Sequence, residues 1–251
     1  AVGTGTVVPE GDRGMSAHFV EAASRRVLLD CGPGTVQGLA RHGLPWERLT
    51  DLCLTHFHPD HVGALSGLFF SLKHGTGPGR GDLGLTVWGP PGTGRLFERL
   101  ASAVGEHLLD PGFPVRVREG EPRGGEQLAD GLRLRSHPTP HTDESRALRL
   151  EADGAAVGYT GDTGPEPDLE AFFEGVDLLV AECSLTDEEV GDNHLSPGSV
   201  ARLARGARPE LLGLTHIYPH VRESKDVRAL VRAAGWTGAV EVLRDGREHR
   251  P

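Results

Sequence analysis

The sequence has no apolar run long enough to cross a bilayer. Its wholly apolar stretches are short, 178–181 among them, and a membrane-spanning helix is excluded. Cysteine is scarce. Cys31, Cys53 and Cys183 are an odd number, widely spaced and without a CxxC pair, so a disulfide framework is excluded and a cytoplasmic location is expected. Each lies in or beside apolar residues and reads as a small core side chain. Positive charge is short as well: 26 Lys+Arg against 36 Asp+Glu give a formal net charge of −10. Broad, sequence-blind binding to nucleic acid needs a strong positive field, and this balance argues against it. An acidic or phosphorylated substrate stays compatible, because bound cations reverse the local charge. The start lacks a positive segment followed by an apolar one, opens on Ala1 rather than Met, and reads as trimmed.

What the chain has is 251 residues, 37% hydrophobic and 25% charged. That is a globular composition with room for one large α/β domain or two small ones. No shift in composition marks a linker. Its 36 glycines and 18 prolines signal many turns. Short β-branched or apolar runs predict strands over 27–30, 51–55, 85–88, 115–118, 132–136, 147–151, 156–159, 177–182, 211–215 and 240–243. Helical spacing predicts helices from Thr35, over 62–72, over 96–108 and over 227–234, and one starting at Ser196-Pro197 as N-cap and first helical residue. Strands in both halves, each with its own helices, predict two packed sheets covered outside by helices. The stretch GTGPGRGD at 75–82 reads as a mobile loop.

Thirteen histidines are many for this length. They concentrate in HFHPDH at 56–61, where three histidines and an aspartate fall within six residues. Clustered imidazoles are costly in a core unless something binds them. His56 and His58, two apart, face the same way on an extended segment. Asp60 and His61 sit in the turn that starts the next helix. Two ligand pairs therefore leave one strand end in different directions, which suits two neighbouring divalent ions better than a single tetrahedral one.

HFHPDH resembles the HxHxDH motif of the metallo-β-lactamase superfamily, and further stations follow its order. They are Asp30 in LLDCGPGT, His141 in PTPHTD 85 residues after His56, Asp162 in YTGDTG 21 residues on, and His216 in LTHIYP another 54 on. The likeness spans nearly the whole chain. It implies a single domain over 1–251 of class α/β, a four-layer αβ/βα sandwich with two mixed β-sheets flanked by helices. Within the superfamily GTGTVVP, LDCGPGT, GPPGTG and the pair AECS and HLSP are similar to the ribonuclease Z branch. The resemblance implies that His56, His58 and His141 hold one metal ion, that Asp60, His61 and His216 hold another, and that Asp162 bridges them. The ions implied are zinc, with manganese the alternative. Asp30 is implied to steady a ligand, although a strand-end aspartate also caps turns. Activated water would attack phosphorus or a carbonyl carbon, with Asp60 both ligating and orienting it. His194, held in its tautomer by Glu182, would protonate the leaving oxygen.

Other features read as structural. GPPGTG at 89–94 opens like a phosphate-binding loop but continues with Arg95 and Leu96, so the phosphate-reaching lysine and magnesium-binding hydroxyl are missing. It reads as a strand-to-helix turn. Arg202, Arg205 and Arg208 are spaced as a solvated helix face. His220, behind Pro219, reads as a surface residue, and His18, His42, His74, His107, His137 and His249 as ordinary. The 21 residues between His141 and Asp162 leave no room for the long arm with which ribonuclease Z enzymes grip tRNA, and PEGDR at 9–13 stands in place of their basic loop. The expected function is therefore a dinuclear metal-dependent hydrolase of ester bonds, a phosphodiesterase acting on a small or nucleotide-like phosphodiester. RNA is disfavoured, no membrane partner is expected, and a homodimer is implied only by the relatives. The alternatives are a tRNA 3′-end processing endonuclease, a metal-stabilised binding protein without turnover, and an iron redox site of the same fold, which usually needs a flavin domain.

Overall fold

Apolar alternation and burial set two sheets. Leu132 and Leu134 are buried while Arg133 between them is exposed, and 178–182 is buried throughout, as suits a central parallel strand. The computed structural model describes residues 1–76, 80 and 83–250. The first sheet holds β1 (His18–Ala22), β2 (Arg25–Leu29), β3 (Asp51–Cys53), β4 (Leu85–Gly89) and β5 (Val115–Glu119) in that order, with only β1 antiparallel to its neighbour. The second holds β6 (Gly125–Ala129), β7 (Leu132–Pro138), β8 (Arg146–Ala152), β9 (Ala155–Tyr159), β10 (Leu178–Glu182), β11 (Leu211–Thr215) and β12 (Ala239–Val242). It is antiparallel from β6 to β9 and parallel from β9 to β12.

The helices are α1 (Thr35–Arg41), α2 (Pro59–Val62), α3 (Leu65–Gly75), α4 (Thr93–Val104), α5 (Asp168–Phe172), α6 (Pro197–Ala207), α7 (Pro219–Ser224) and α8 (Val227–Ala233). Leu39, Leu68, Phe69, Leu72 and Phe97 of α1, α3 and α4 pack on the first sheet. Phe172, Val200, Leu203 and Val231 of α5, α6 and α8 pack on the second. Between the sheets Val27, Leu29 and Cys53 meet Leu134, Leu148, Leu150 and Val180. Each such fully buried side chain contributes about 1.5–3 kcal/mol relative to exposure. The result is four layers, helix–sheet–sheet–helix, with both sheets mixed, the architecture that the resemblance implies. The three cysteines are buried and unbridged. No helix among the described residues is long and apolar enough to cross a membrane.

The local pattern misjudged several boundaries. The helix expected over 62–72 is two, α2 and α3, because the Cys31 peptide docks at their junction. Cys31 N donates to His61 O at 2.7 Å and Ala64 N to Cys31 O at 2.9 Å. The strand expected over 51–55 stops at Cys53, since Thr55 N turns to the Asp30 carboxylate at 2.8 Å. Leu108, expected on the helix over 96–108, lies in a separate 3₁₀ turn. The edge strands β1 and β6 were not expected, because half-exposed sequences such as GEQLA carry no alternation. Of the loop expected over 75–82, Gly75 closes α3 and buried Arg80 donates to Glu47 O and Leu49 O. Residues 77–79 and 81–82 of that stretch lie outside the described residues.

His18, expected to be ordinary, is buried with its ring edge-on to Tyr159 at 5.0 Å between centroids. Burial holds its pKa well below the usual imidazole value. The folded state therefore keeps it neutral, while the unfolded chain takes up a proton near pH 6.5. Stability from this group is full above that pH and is lost as pH falls. The loss sets in as pH falls through about 6.5 and is on the order of 1 kcal/mol by about pH 5.5. Urea unfolding should show His18→Phe losing about that much less than the parent over the same interval. Equal losses would contradict the assignment.

Candidate metal centre

Several strands deliver their C-terminal ends to one rim of the sandwich, where open α/β sheets gather their polar residues. There β2 leads to Asp30, β3 to Thr55 and His56, β9 to Asp162, β10 ends in Glu182, and β11 leads to His216. Pro59 opens α2 and places Asp60 and His61 in its single turn. Gly161, with φ +55°, lets the Asp162 loop approach Thr55: a Cβ there would meet Thr55 Cβ at 2.9 Å. At Gly164 a Cβ would meet Asp192 O at 1.7 Å, so the Asp162 loop lies directly against the loop carrying His194. Asp30 and His216 themselves adopt left-handed backbone, φ +58° and +54°. Aspartate tolerates that region through local hydrogen bonds, whereas a histidine held there carries a strain of order 1 kcal/mol.

All seven predicted ligand residues meet at this rim. The candidate ligand atoms of His56, His58, His141 and Asp162 lie within 4.8 Å of one another, and so do those of Asp60, His61, Asp162 and His216. Asp162 belongs to both groups. Its Oδ2 is 4.0 Å from His56 Nε2, 3.7 Å from His141 Nε2 and 3.6 Å from His216 Nε2, while its Oδ1 is 3.3 Å from His61 Nε2. His216 Nε2 also reaches Asp60 Oδ2 at 3.2 Å.

The outer faces of the rings are held. Asp30 Oδ2 takes His61 Nδ1 at 2.7 Å and the Tyr159 hydroxyl at 2.9 Å, and both its oxygens accept from Thr55. Asp30 therefore steadies a histidine and is not merely a turn cap. Thr55 Oγ1 gives its proton to Asp30, so it accepts from His56 Nδ1 at 3.0 Å. His141 Nδ1 donates to Asn193 O at 2.8 Å. With Nδ1 held by its partner, each of these rings turns its Nε2 inward, where it would offer a lone pair to a cation that displaces any proton there.

The inner atoms fit a cation. His56 Nε2, His61 Nε2 and Asp162 Oδ1 are buried and have no hydrogen-bond partner among the described residues. An unpaired buried polar atom costs about 1–3 kcal/mol, so three facing one another are explained by a ligand that takes lone pairs. Burial alone favours neutral Asp162, yet the imidazoles of His216, His61 and His56 hold its carboxyl well below the usual range. Burial opposes a charge on His61 too, but Asp162 and Asp30 raise its pKa well above normal. The rim is electrostatically prepared for positive charge, and its nitrogen and oxygen donors suit divalent metal ions.

Glu182, His194 and His216 form a third close group. The fully buried Glu182 carboxylate accepts from Thr163 N at 2.6 Å, Leu195 N at 3.2 Å, His194 Nδ1 at 3.0 Å and Ser184 Oγ. Its lone pairs are committed, so this group is a hydrogen-bonded chain and not a third ligand set. Burial lowers the His194 pKa, but the hydrogen bond and charge of Glu182 raise it on balance. Ser196 caps α6 as expected, with Ser196 N donating to Ser199 Oγ at 2.8 Å, and this anchors the His194 loop.

The residues read as structural lie elsewhere. Exposed His220 faces Glu189 at 3.3 Å, and His137 is held by Arg123 and by Pro138 O. GPPGTG joins β4 to α4 as a turn. Arg202, Arg205 and Arg208 are exposed, two of them pinned to Ala234 O and Glu174. Between His141 and Asp162 stands the hairpin of β8 and β9, with no arm. Sequence reasoning missed Thr55, Tyr159, Ser184 and Asn193. Ser184 and Tyr159 lie inside quoted motifs, but a hydroxyl or a carbonyl has no diagnostic spacing.

The sequence matches the beta-lactamase superfamily domain over residues 25–217. It is 30% identical to ribonuclease Z of Mycobacterium bovis, covering 97% of this chain and 94% of that one. The fold is similar to that of the metallo-beta-lactamase fold protein YhfI from Bacillus subtilis, with TM-score 0.83, 22% identity and coverage of 98% and 95%. It is also similar to the short form of human tRNase Z, with TM-score 0.79, 22% identity and coverage of 98% and 96%. The chain belongs to the beta-lactamase superfamily, as a metal-dependent hydrolase of its ribonuclease Z-like branch.

Proposed function

We propose that the whole chain, 1–251, acts as one dinuclear metal-dependent phosphodiesterase on a small or nucleotide-like phosphodiester. The observation that supports this reading is Asp162, one carboxylate shared by two groups of candidate ligands. His56, His58, His141 and Asp162 would hold one divalent ion, and Asp60, His61, Asp162 and His216 the other. Zinc is the proposed metal, with manganese the alternative. Bound there, the ions supply Lewis acidity that lowers the pKa of water and offsets charge on substrate oxygens. Asp60 would both ligate an ion and orient the attacking water. His194 gives its Nε2 proton to the leaving oxygen, while Glu182 keeps Nδ1–H in place.

A small substrate is supported by the plain β8–β9 hairpin between His141 and Asp162 and by the net charge of −10. The free, buried cysteines support a cytoplasmic location. One observation favours a second reading, tRNA 3′-end cleavage: the 30% identity to a ribonuclease Z. Zinc-loaded protein should hydrolyse bis(p-nitrophenyl) phosphate, Asp60→Ala should abolish this whatever metal is added, and precursor tRNA should be cut poorly. Efficient precursor cleavage would establish the second reading. Absence of turnover with both ions bound would mark a binding protein.

A further inference from the structure

Ser184 lies two residues beyond the end of β10 and is fully buried. Its backbone joins two site loops: Ser184 N donates to Leu195 O at 3.0 Å, beside His194, and Tyr218 N donates to Ser184 O at 3.1 Å, beside His216. Its single hydroxyl proton goes to Glu182 Oε2. Towards imidazoles the oxygen can then only accept. It takes Nδ1–H of His216 at 3.0 Å and lies 3.4 Å from His194 Nδ1. The chain of donors runs from His216 through Ser184 to the Glu182 carboxylate, and His194 Nδ1 reaches both oxygens of the same carboxylate at 3.0 and 3.1 Å. One oxygen thus sets the tautomer of a metal-group histidine and fixes the carboxylate that orients the proposed proton donor.

We propose that Ser184 is a shared positioning residue, whose hydroxyl aims His216 Nε2 at the second ion and locks Glu182 against His194, so that metal retention and proton delivery depend on one side chain. The part concerning proton delivery rests on the hydrolase reading above; the part concerning His216 does not. In Ser184→Ala both backbone links persist and only the hydroxyl is lost. Chelator-competition titration with zinc, without substrate, should show one of two zinc affinities, that of the group holding His216, reduced about 10–100-fold. In the zinc-loaded protein the slowly exchanging His216 Nδ1–H resonance should disappear. Hydrolysis of an alkyl phosphodiester should fall further than that of bis(p-nitrophenyl) phosphate.

Two wild-type zinc affinities with a retained Nδ1–H resonance would overturn the proposal even if hydrolysis is confirmed. If affinity falls but no ester is turned over by any form, the hydrolase reading fails while the His216 role stands. Equal losses on both substrates would remove the link to His194. Should the alanine variant not fold, Ser184→Thr against Ser184→Val, which differ only in a hydroxyl, gives the same comparison. The threonine form should then keep the second zinc and the valine form lose it, and indistinguishable behaviour would count against the proposal.

Discussion

Asp162→Ala is expected to release an ion and to lower turnover by more than about 100-fold, the upper range for losing a mere outer partner of a ligand. The reason is its dual membership. Every other candidate ligand belongs to one of the two proposed metal groups, whereas Asp162 oxygens lie between 3.3 and 4.0 Å from imidazoles of both. Removing it withdraws a donor from each group and also the charge that offsets buried His61. Asp162→Asn keeps the shape and loses the charge, and should fall nearly as far, because a neutral amide is a weak bridging donor. Metal content after dialysis, read beside kcat, checks this. Two retained ions per chain with near-normal turnover would contradict it.

His194→Ala should leave both ions bound and separate substrates by their leaving groups. An alkoxide leaves poorly without a proton, so hydrolysis of an alkyl phosphodiester should slow by about 10²–10⁴-fold, the usual share of a general acid. Bis(p-nitrophenyl) phosphate, whose phenolate leaves unaided, should be slowed far less. Glu182 holds Nδ1 from within the core, at 3.0 and 3.1 Å, so Nε2 is the nitrogen available for delivery. A similar loss on both substrates, measured as kcat at saturating metal, would show that His194 is not the acid.

HFHPDH points to a metal site by itself, because no core packing rewards three imidazoles and a carboxylate side by side. His141, Asp162 and His216 are distant in sequence and isolated in composition. They were legible only through resemblance, and the fold unites them because strands far apart in the chain end on one rim. Strands with strong apolar runs, such as β10 and β11, were legible locally, whereas the edge strands β1 and β6 were not. The break between α2 and α3 depends on the Cys31 peptide, thirty positions from His61, which no local pattern reports. The supporting hydroxyls of Thr55, Tyr159 and Ser184 were hidden for a related reason. Their work consists of single hydrogen bonds to partners brought close by the sheets.

Zinc-edge anomalous diffraction from crystals grown with zinc tests the central claim most directly. Two peaks are predicted, one among His56, His58, His141 and Asp162, the other among Asp60, His61, Asp162 and His216, with the Asp162 carboxylate between them. A single peak, or peaks away from Asp162, would contradict the account.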